Sequence, residues 1–253
     1  MPEAEAAINS VAPQEPDLAT LNRDFYNRLW NKARFVGPER FNTWPLMQQL
    51  AAAAPNRLEI GPGLRPRLPI EGTHFLDISE AAVTELSRRG GTAIRADATS
   101  LPYPNSTFDL ICALDIIEHV PDEDSLFREL VRVLRDRGTL VLAIPMNPDR
   151  WTSFDAVVGH ARRYTRDSLQ AVLKRHGLSI ERSAAYGMQS QSSLLLRFTV
   201  SGFTHMPRTT IFIYNNLVMP LGLALQKPLQ FQDGLLDTNR VDEVLLICRK
   251  GVT

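Results

Sequence analysis

From about residue 58 the chain alternates short apolar runs with amphipathic segments, a pattern that admits few architectures besides a parallel sheet covered by helices. Runs at 57–61, 73–77, 92–96, 108–114 and 138–144 read as strands, and 178–186 and 241–249 as two late ones. Helices are expected at 79–89, opened by Ser79 as N-cap, and at 122–135, where Leu126, Leu130, Val133 and Leu134 share a face. A further helix at 166–176 ends at Gly177. With 253 residues and 44% hydrophobic content, the chain has enough apolar material for a sizeable core.

The flanks differ from this centre. Residues 1–16 carry Glu3, Glu5 and Glu15 with three prolines and no apolar core, which predicts a disordered tail rather than a signal peptide. Residues 17–56 are expected to form an N-terminal helical cap, its aromatic side chains Phe25, Trp30 and Phe35 joining Leu29 on one packing face. Residues 57–253 then make the main domain, interrupted at about 188–240 by an apolar insertion containing Leu194, Leu195, Leu196, Phe198, Phe203, Phe212, Tyr214 and Phe231. That stretch is too long and too apolar for a plain loop. A substrate lid, a homodimer surface and a peripheral membrane contact each account for it. Its apolar runs are broken by Asn215, Asn216 and Pro220, so no segment reaches the roughly 18 apolar residues of a membrane span.

Charge and cysteine usage narrow the partners. Lys plus Arg (28) equals Asp plus Glu (28), so no global field recruits nucleic acid. Cys112 and Cys248 lie inside apolar runs without CxxC spacing, which predicts buried thiols in a reducing, cytoplasmic setting. Glu118-His119 is a lone adjacent pair, and no metal site is expected from the spacing of His, Asp and Glu.

The chemistry gathers around Glu59-Ile60-Gly61-Pro62-Gly63. A strand running into two glycines spaced by one residue lets the backbone turn sharply and approach a ligand closely. Asp77 and Asp97 end the next two strands, where carboxylates accept hydrogen bonds from ribose hydroxyls and an adenine amino group. A nicotinamide dehydrogenase would need G-x-G-x-x-G opening a helix, but position 66 is proline. Together with Leu101-Pro102-Tyr103, Phe108-Asp109-Leu110-Ile111 and Asp115-Ile116-Ile117-Glu118-His119-Val120, residues 57–186 resemble the class I S-adenosylmethionine (SAM)-dependent methyltransferases that act on small molecules.

The resemblance implies a Rossmann-like, seven-stranded, mostly parallel α/β sheet with helices on both faces and an antiparallel last strand. It also implies a SAM site. Gly61 and Gly63 would face the methionine part, with Glu59 supporting the turn or the amino group. Asp77 would take the ribose hydroxyls and Ile78 the adenine face, while Asp97 and Ala98 meet the adenine edge. Leu114 and Asp115 would line the methionine side. The chain departs from the family where a third glycine is usual: it has Arg65, then Pro66 and Pro69, and only sixteen positions separate Gly61 from Asp77. The first helix is therefore expected to be shortened. Arg65, or the helix around Tyr26 and Arg34, is expected to help close the pocket.

A second segment, Gly159-His160-Ala161-Arg162-Arg163-Tyr164, follows the fifth strand and resembles one found in a subset of these enzymes. Its place beyond the carboxyl end of the sheet is where an acceptor would sit. Trp151, Phe154, His160, Arg163 and Tyr164 are the expected acceptor contacts. His119 and His160 are the candidate general bases if the nucleophile is a hydroxyl; an amine or carbon nucleophile has less need of one. A noncatalytic SAM-binding scaffold is the alternative reading of the same residues, and a membrane-associated lipid or quinone methyltransferase another.

Overall fold

Every residue of Phe108–Leu114 except Asp109 is buried, as a strand covered on both faces requires. It forms β4, near the middle of an eight-stranded sheet of order β3-β2-β1-β4-β5-β8-β6-β7. The computed structural model describes residues 18–30, 33–187, 200–203 and 205–252. The expected tail at 1–16 lies outside the described residues, as do Leu194, Leu195, Leu196 and Phe198 of the insertion.

The other strands are β1 (Arg57–Ile60), β2 (Thr73–Asp77), β3 (Thr92–Arg95), β5 (Leu134–Pro145), β6 (Leu178–Tyr186), β7 (Gln232–Asp233) and β8 (Glu243–Lys250). Pairing is parallel from β3 through β5, whereas β8 lies antiparallel between β5 and β6. The eighth strand is the two-residue β7, paired with β6 at the sheet edge. It is too short to leave a periodic trace in the sequence.

Helix α1 (Leu18–Trp30) and helix α2 (Trp44–Ala53) precede the sheet; α3 (Glu80–Arg88), α4 (Glu123–Val133), α5 (Ser153–Val157) and α6 (Arg166–Arg175) follow its strands. In α4 the buried face is Leu126, Phe127, Leu130 and Val133, and the Asp122 carboxylate caps the helix by accepting from the Ser125 N–H at 3.0 Å. Leu134 falls outside the helix because β5 begins there. Ser79 stands at the N-cap of α3 but its hydroxyl makes no cap bond. Its N–H donates instead to the Asp77 carboxylate at 2.8 Å.

The compression between β1 and β2 goes to its limit: residues 61–72 contain no helix. Pro62, Pro66 and Pro69 remove three backbone donors, so a helical ladder cannot propagate there. The exposed face this leaves is covered by α1. Leu29 and Trp30 pack with Leu64, Ala82, Phe203 and Ile211 in a buried cluster that ties the helical cap and the 200–214 segment to the missing-helix side of the sheet.

Candidate active site

The strand order reverses between β1 and β4, and a cavity of about 760 Å³ opens at the carboxyl ends of the strands there. Its size falls within the roughly 300–1,000 Å³ of small-molecule sites. Gly61, Asp77, Asp97 and Asp115 reach it from the ends of β1, β2, β3 and β4.

Local backbone geometry explains the glycines. Gly61 has φ +64° and Gly63 φ +57°, in the left-handed region. A Cβ on Gly61 would overlap the Ile116 side chain, and one on Gly63 the Trp30 ring. Asp77 locks the turn: its Oδ2 accepts from the Gly63 N–H and its Oδ1 from the Ser79 N–H, both at 2.8 Å. Burial lifts this carboxyl to about 6. Two backbone donors leave lone pairs on both oxygens for further donors.

Glu59 clasps the other side of the turn. Its carboxylate accepts from the Arg67 N–H (2.7 Å) and the Leu68 N–H (2.9 Å). Burial pushes its pKa up to about 7. Asp97 accepts from the Thr99 N–H and hydroxyl (2.8 and 2.7 Å), which fixes its carboxylate beside Ala98 at the cavity edge. Ile78, 37% exposed, and Leu114 line the same cavity.

The inner end is acidic. Asp115 sits at φ +56° and shares a hydrogen bond with Glu243 of β8; burial, then the Asp115 charge, raises Glu243 well above the usual carboxylate range. Burial, then Asp115, does the same to Glu118. Glu118 Oε2 and Glu243 Oε1 are buried without a hydrogen-bond partner among the described residues. Such atoms are costly unless a ligand supplies the missing donor or positive charge.

Two histidines complete the wall. The Nδ1 of His160 faces the Asp155 carboxylate at 2.9 Å and must donate, which leaves Nε2 as a lone pair. Burial alone would raise the Asp155 carboxyl, but hydrogen bonds from His160, Arg163 and Thr152 hold it well below its usual value. The Nδ1 of His119 faces the Gly159 carbonyl at 3.3 Å, so its Nε2 accepts from the Tyr26 hydroxyl at 3.0 Å. Burial, then His160, lowers His119 to about 3 and keeps it neutral. The rings of His119 and His160 meet edge to face with centroids 4.7 Å apart. Glu118, His119 and His160 also bring one ligand atom each within 4.8 Å of one another. Their separation in sequence hid this grouping. Both nitrogens of His119 are already engaged, so a cation would have to displace Tyr26 or Gly159.

Not every expected residue reaches the cavity. Phe154 and His160 line it; Trp151, Arg163 and Tyr164 do not, and neither does Gly63, whose Cα faces the Trp30 ring behind the turn. Arg163 is buried behind the wall, donating to Asp155 (2.8 and 3.1 Å) and to the Met146 carbonyl (3.2 Å). The Tyr164 ring packs in the main core and its hydroxyl donates to Glu123, while Trp151 is 43% exposed outside the site. Arg65 does line the cavity, donating to Asn215 Oδ1 (2.8 Å) and stacking over Trp30. Tyr26 lines it too, whereas Arg34 faces a second cavity. Glu243 and Asn22, which donates to the His119 carbonyl at 3.0 Å, carried no motif and are visible only after folding.

Residues 67–142 match the family model described as a methyltransferase domain. A 47-residue segment is 47% identical to 27-O-demethylrifamycin SV methyltransferase of Amycolatopsis mediterranei, covering 19% of this chain and 17% of that protein. A 95-residue segment is 38% identical to chloroplastic 2-methyl-6-phytyl-1,4-hydroquinone methyltransferase 1 of Oryza sativa subsp. japonica, covering 36% of this chain and 29% of that one. These matches thus span less than a third of either relative's length. The fold is similar to that of a SAM-dependent methyltransferase from Thermotoga maritima over 93% of this chain and 100% of that one, with TM-score 0.59 and 15% identity. Residues 67–142 are thus similar to a methyltransferase domain, set in a fold similar to that of a SAM-dependent methyltransferase.

Proposed function

We propose that the protein transfers a methyl group from SAM to a hydroxyl, amine or carbon of a small, partly apolar acceptor. The observation that carries this reading is the set of carboxylates lining one cavity: Asp77, Asp97 and Asp115 at the carboxyl ends of β2, β3 and β4, together with Glu118 and Glu243. The unpartnered oxygens of Glu118 and Glu243 suit a cationic ligand, and SAM when bound supplies a methyl group activated by positively charged sulfur. Gly61 gives its methionine part room, Gly63 holds the Asp77 carboxylate, Asp77 retains acceptor sites for ribose hydroxyls, and Ile78, Asp97 and Ala98 suit the adenine. Leu114 and Asp115 border the methionine side, and Glu59 acts indirectly by holding the turn.

Phe25, Phe154 and Phe203 give the acceptor region an apolar wall, and the Nε2 of His160, left as a lone pair, lies at the cavity 3.9 Å from Glu118 Oε1. His160 takes the acceptor's proton; Asp155, itself held by Arg163, fixes its tautomer and steadies the positive charge that develops. His119 positions the wall, since Tyr26 occupies its Nε2. Alignment and exclusion of water supply the remainder of the catalysis. The buried unpaired thiols Cys112 and Cys248 suit a reducing compartment, the cytoplasm.

Release of the demethylated product from SAM, followed across a panel of hydroquinones, phenols and amines with apolar substituents, tests the reading. Acceptor-dependent release supports methyl transfer. SAM binding with no release against any member of the panel would favour a noncatalytic scaffold.

A further inference from the structure

A second cavity, of about 800 Å³, lies between residues 34–40 and the helical turns Met219–Ala224. Five arginines line it: Arg34, Arg40, Arg65, Arg88 and Arg89, the guanidinium groups of Arg65 and Arg89 stacking over Trp30 and Phe35. The opposing charges are fewer. Glu39 lines the cavity, and Glu85 pairs with Arg88 (2.8 Å) and Arg89 (2.7 Å) from the same helix. Arg65 donates to Asn215, yet its Nε is buried with no partner. The side chains of Arg34 and Arg40 make no hydrogen bond or ion pair among the described residues. Because the whole chain is formally neutral, this positive charge is a local concentration.

Met219, Pro220 and Leu223 form the apolar side of the cavity. The same run turns other side chains outward: Phe212 is 61% exposed, Leu217 63%, Leu221 56% and Leu225 69%. A cluster of large apolar side chains facing water marks a surface that something covers. Residues 200–232 contain no Asp or Glu but do contain His205, Arg208 and Lys227. No helix among the described residues is long and apolar enough to cross a membrane.

We propose that this face docks on an anionic membrane, with lipid phosphate entering the arginine cavity and the side chains of Phe212, Leu217, Leu221 and Leu225 entering the acyl boundary. Guanidinium forks match phosphate oxygens. Apolar side chains beside basic ones are the composition of an interfacial helix, and each cation near an anionic surface adds to binding. A free phosphate would account for the arginines but leave the apolar side chains uncovered. A second copy packed on the same face would bring like-charged arginines together. The docked segment also supplies Tyr214 to the wall of the first cavity, so an apolar acceptor would enter from the lipid side. The docking itself stands whether or not methyl transfer does.

Flotation of the full chain with vesicles tests it, comparing phosphatidylcholine alone with phosphatidylcholine mixed with phosphatidylglycerol. The protein should float with the mixed vesicles only and be released as salt screens the contact. The double variant Arg34→Glu/Arg40→Glu should lower that partitioning at least about tenfold. The double variant Leu217→Asp/Leu221→Asp, with its fold checked by thermal melting, should lower it comparably. Equal flotation with neutral vesicles, no flotation with either, or unchanged flotation of the arginine variant would overturn the assignment. Inorganic phosphate that raises the melting temperature of a protein that does not float would assign the cavity to a free anion instead.

Discussion

Glu59 is 3% exposed and holds two backbone N–H groups, yet its carboxyl is lifted to about 7 because burial disfavours its charge. The folded state therefore binds this proton at a pH where the unfolded chain has lost it. Stability from Glu59 is fully present below the unfolded pKa near 4.5 and is lost as pH rises through about 7. The difference is about 3 kcal/mol at most. Urea unfolding should show wild type losing stability from pH 4.5 to 7.5. Glu59→Gln should be less stable at low pH, since one amide oxygen must serve two donors, and should show a flatter profile across that window. At His160 the expectation concerns turnover. His160→Asn should lower it by about 10²–10⁴ for a hydroxyl acceptor while leaving SAM affinity within about twofold, as measured by steady-state kinetics alongside calorimetry. A fall in affinity as large as the fall in turnover would assign His160 to the binding wall alone.

At the scale of elements, α1 replaces the helix that the β1–β2 connection lacks. Its Trp30 lies against Gly63 so closely that a methyl group does not fit between them, and Tyr26 reaches across to His119. Gly63→Ala should cost about 1–2 kcal/mol through its left-handed backbone alone. It should also displace Trp30 and weaken SAM binding, which thermal unfolding with and without SAM would register together. The strands and α3, α4 and α6 were legible because each carries its own periodicity, cap or terminal glycine. The turn glycines and the acids of β2 and β3 were legible for the same reason: they sit at the ends of local runs. The Asp155–His160–Arg163 group was not. All three belong to one short stretch, but only α5 and its following turn bring Asp155 behind both partners. Arg163 and Tyr164 read as acceptor contacts because polar and aromatic side chains past a strand end are ambiguous until the backbone decides which way they face.

For the whole molecule, pairing across the chain sets the character of the cavity. Glu243 meets Asp115 because β8 lies antiparallel beside β5, a register with no local signature. Glu118 and Glu243 are both raised by burial, so a cationic ligand should favour their ionised forms and expel protons. SAM binding should therefore release protons, seen as binding heats that vary with the ionisation enthalpy of the buffer, and the uncharged-sulfur product should release fewer. We propose that SAM is held in the cavity at the ends of β1–β4 through Asp77. Titration calorimetry of wild type and Asp77→Ala with SAM tests this most directly, at pH 8 and again below pH 6, where the Asp77 carboxyl takes up its proton. Wild type should bind SAM, more weakly as pH falls below 6, and a folded Asp77→Ala should bind at least about tenfold more weakly at pH 8. No heat and no thermal stabilisation of wild type, or equal affinity in the variant, would contradict it.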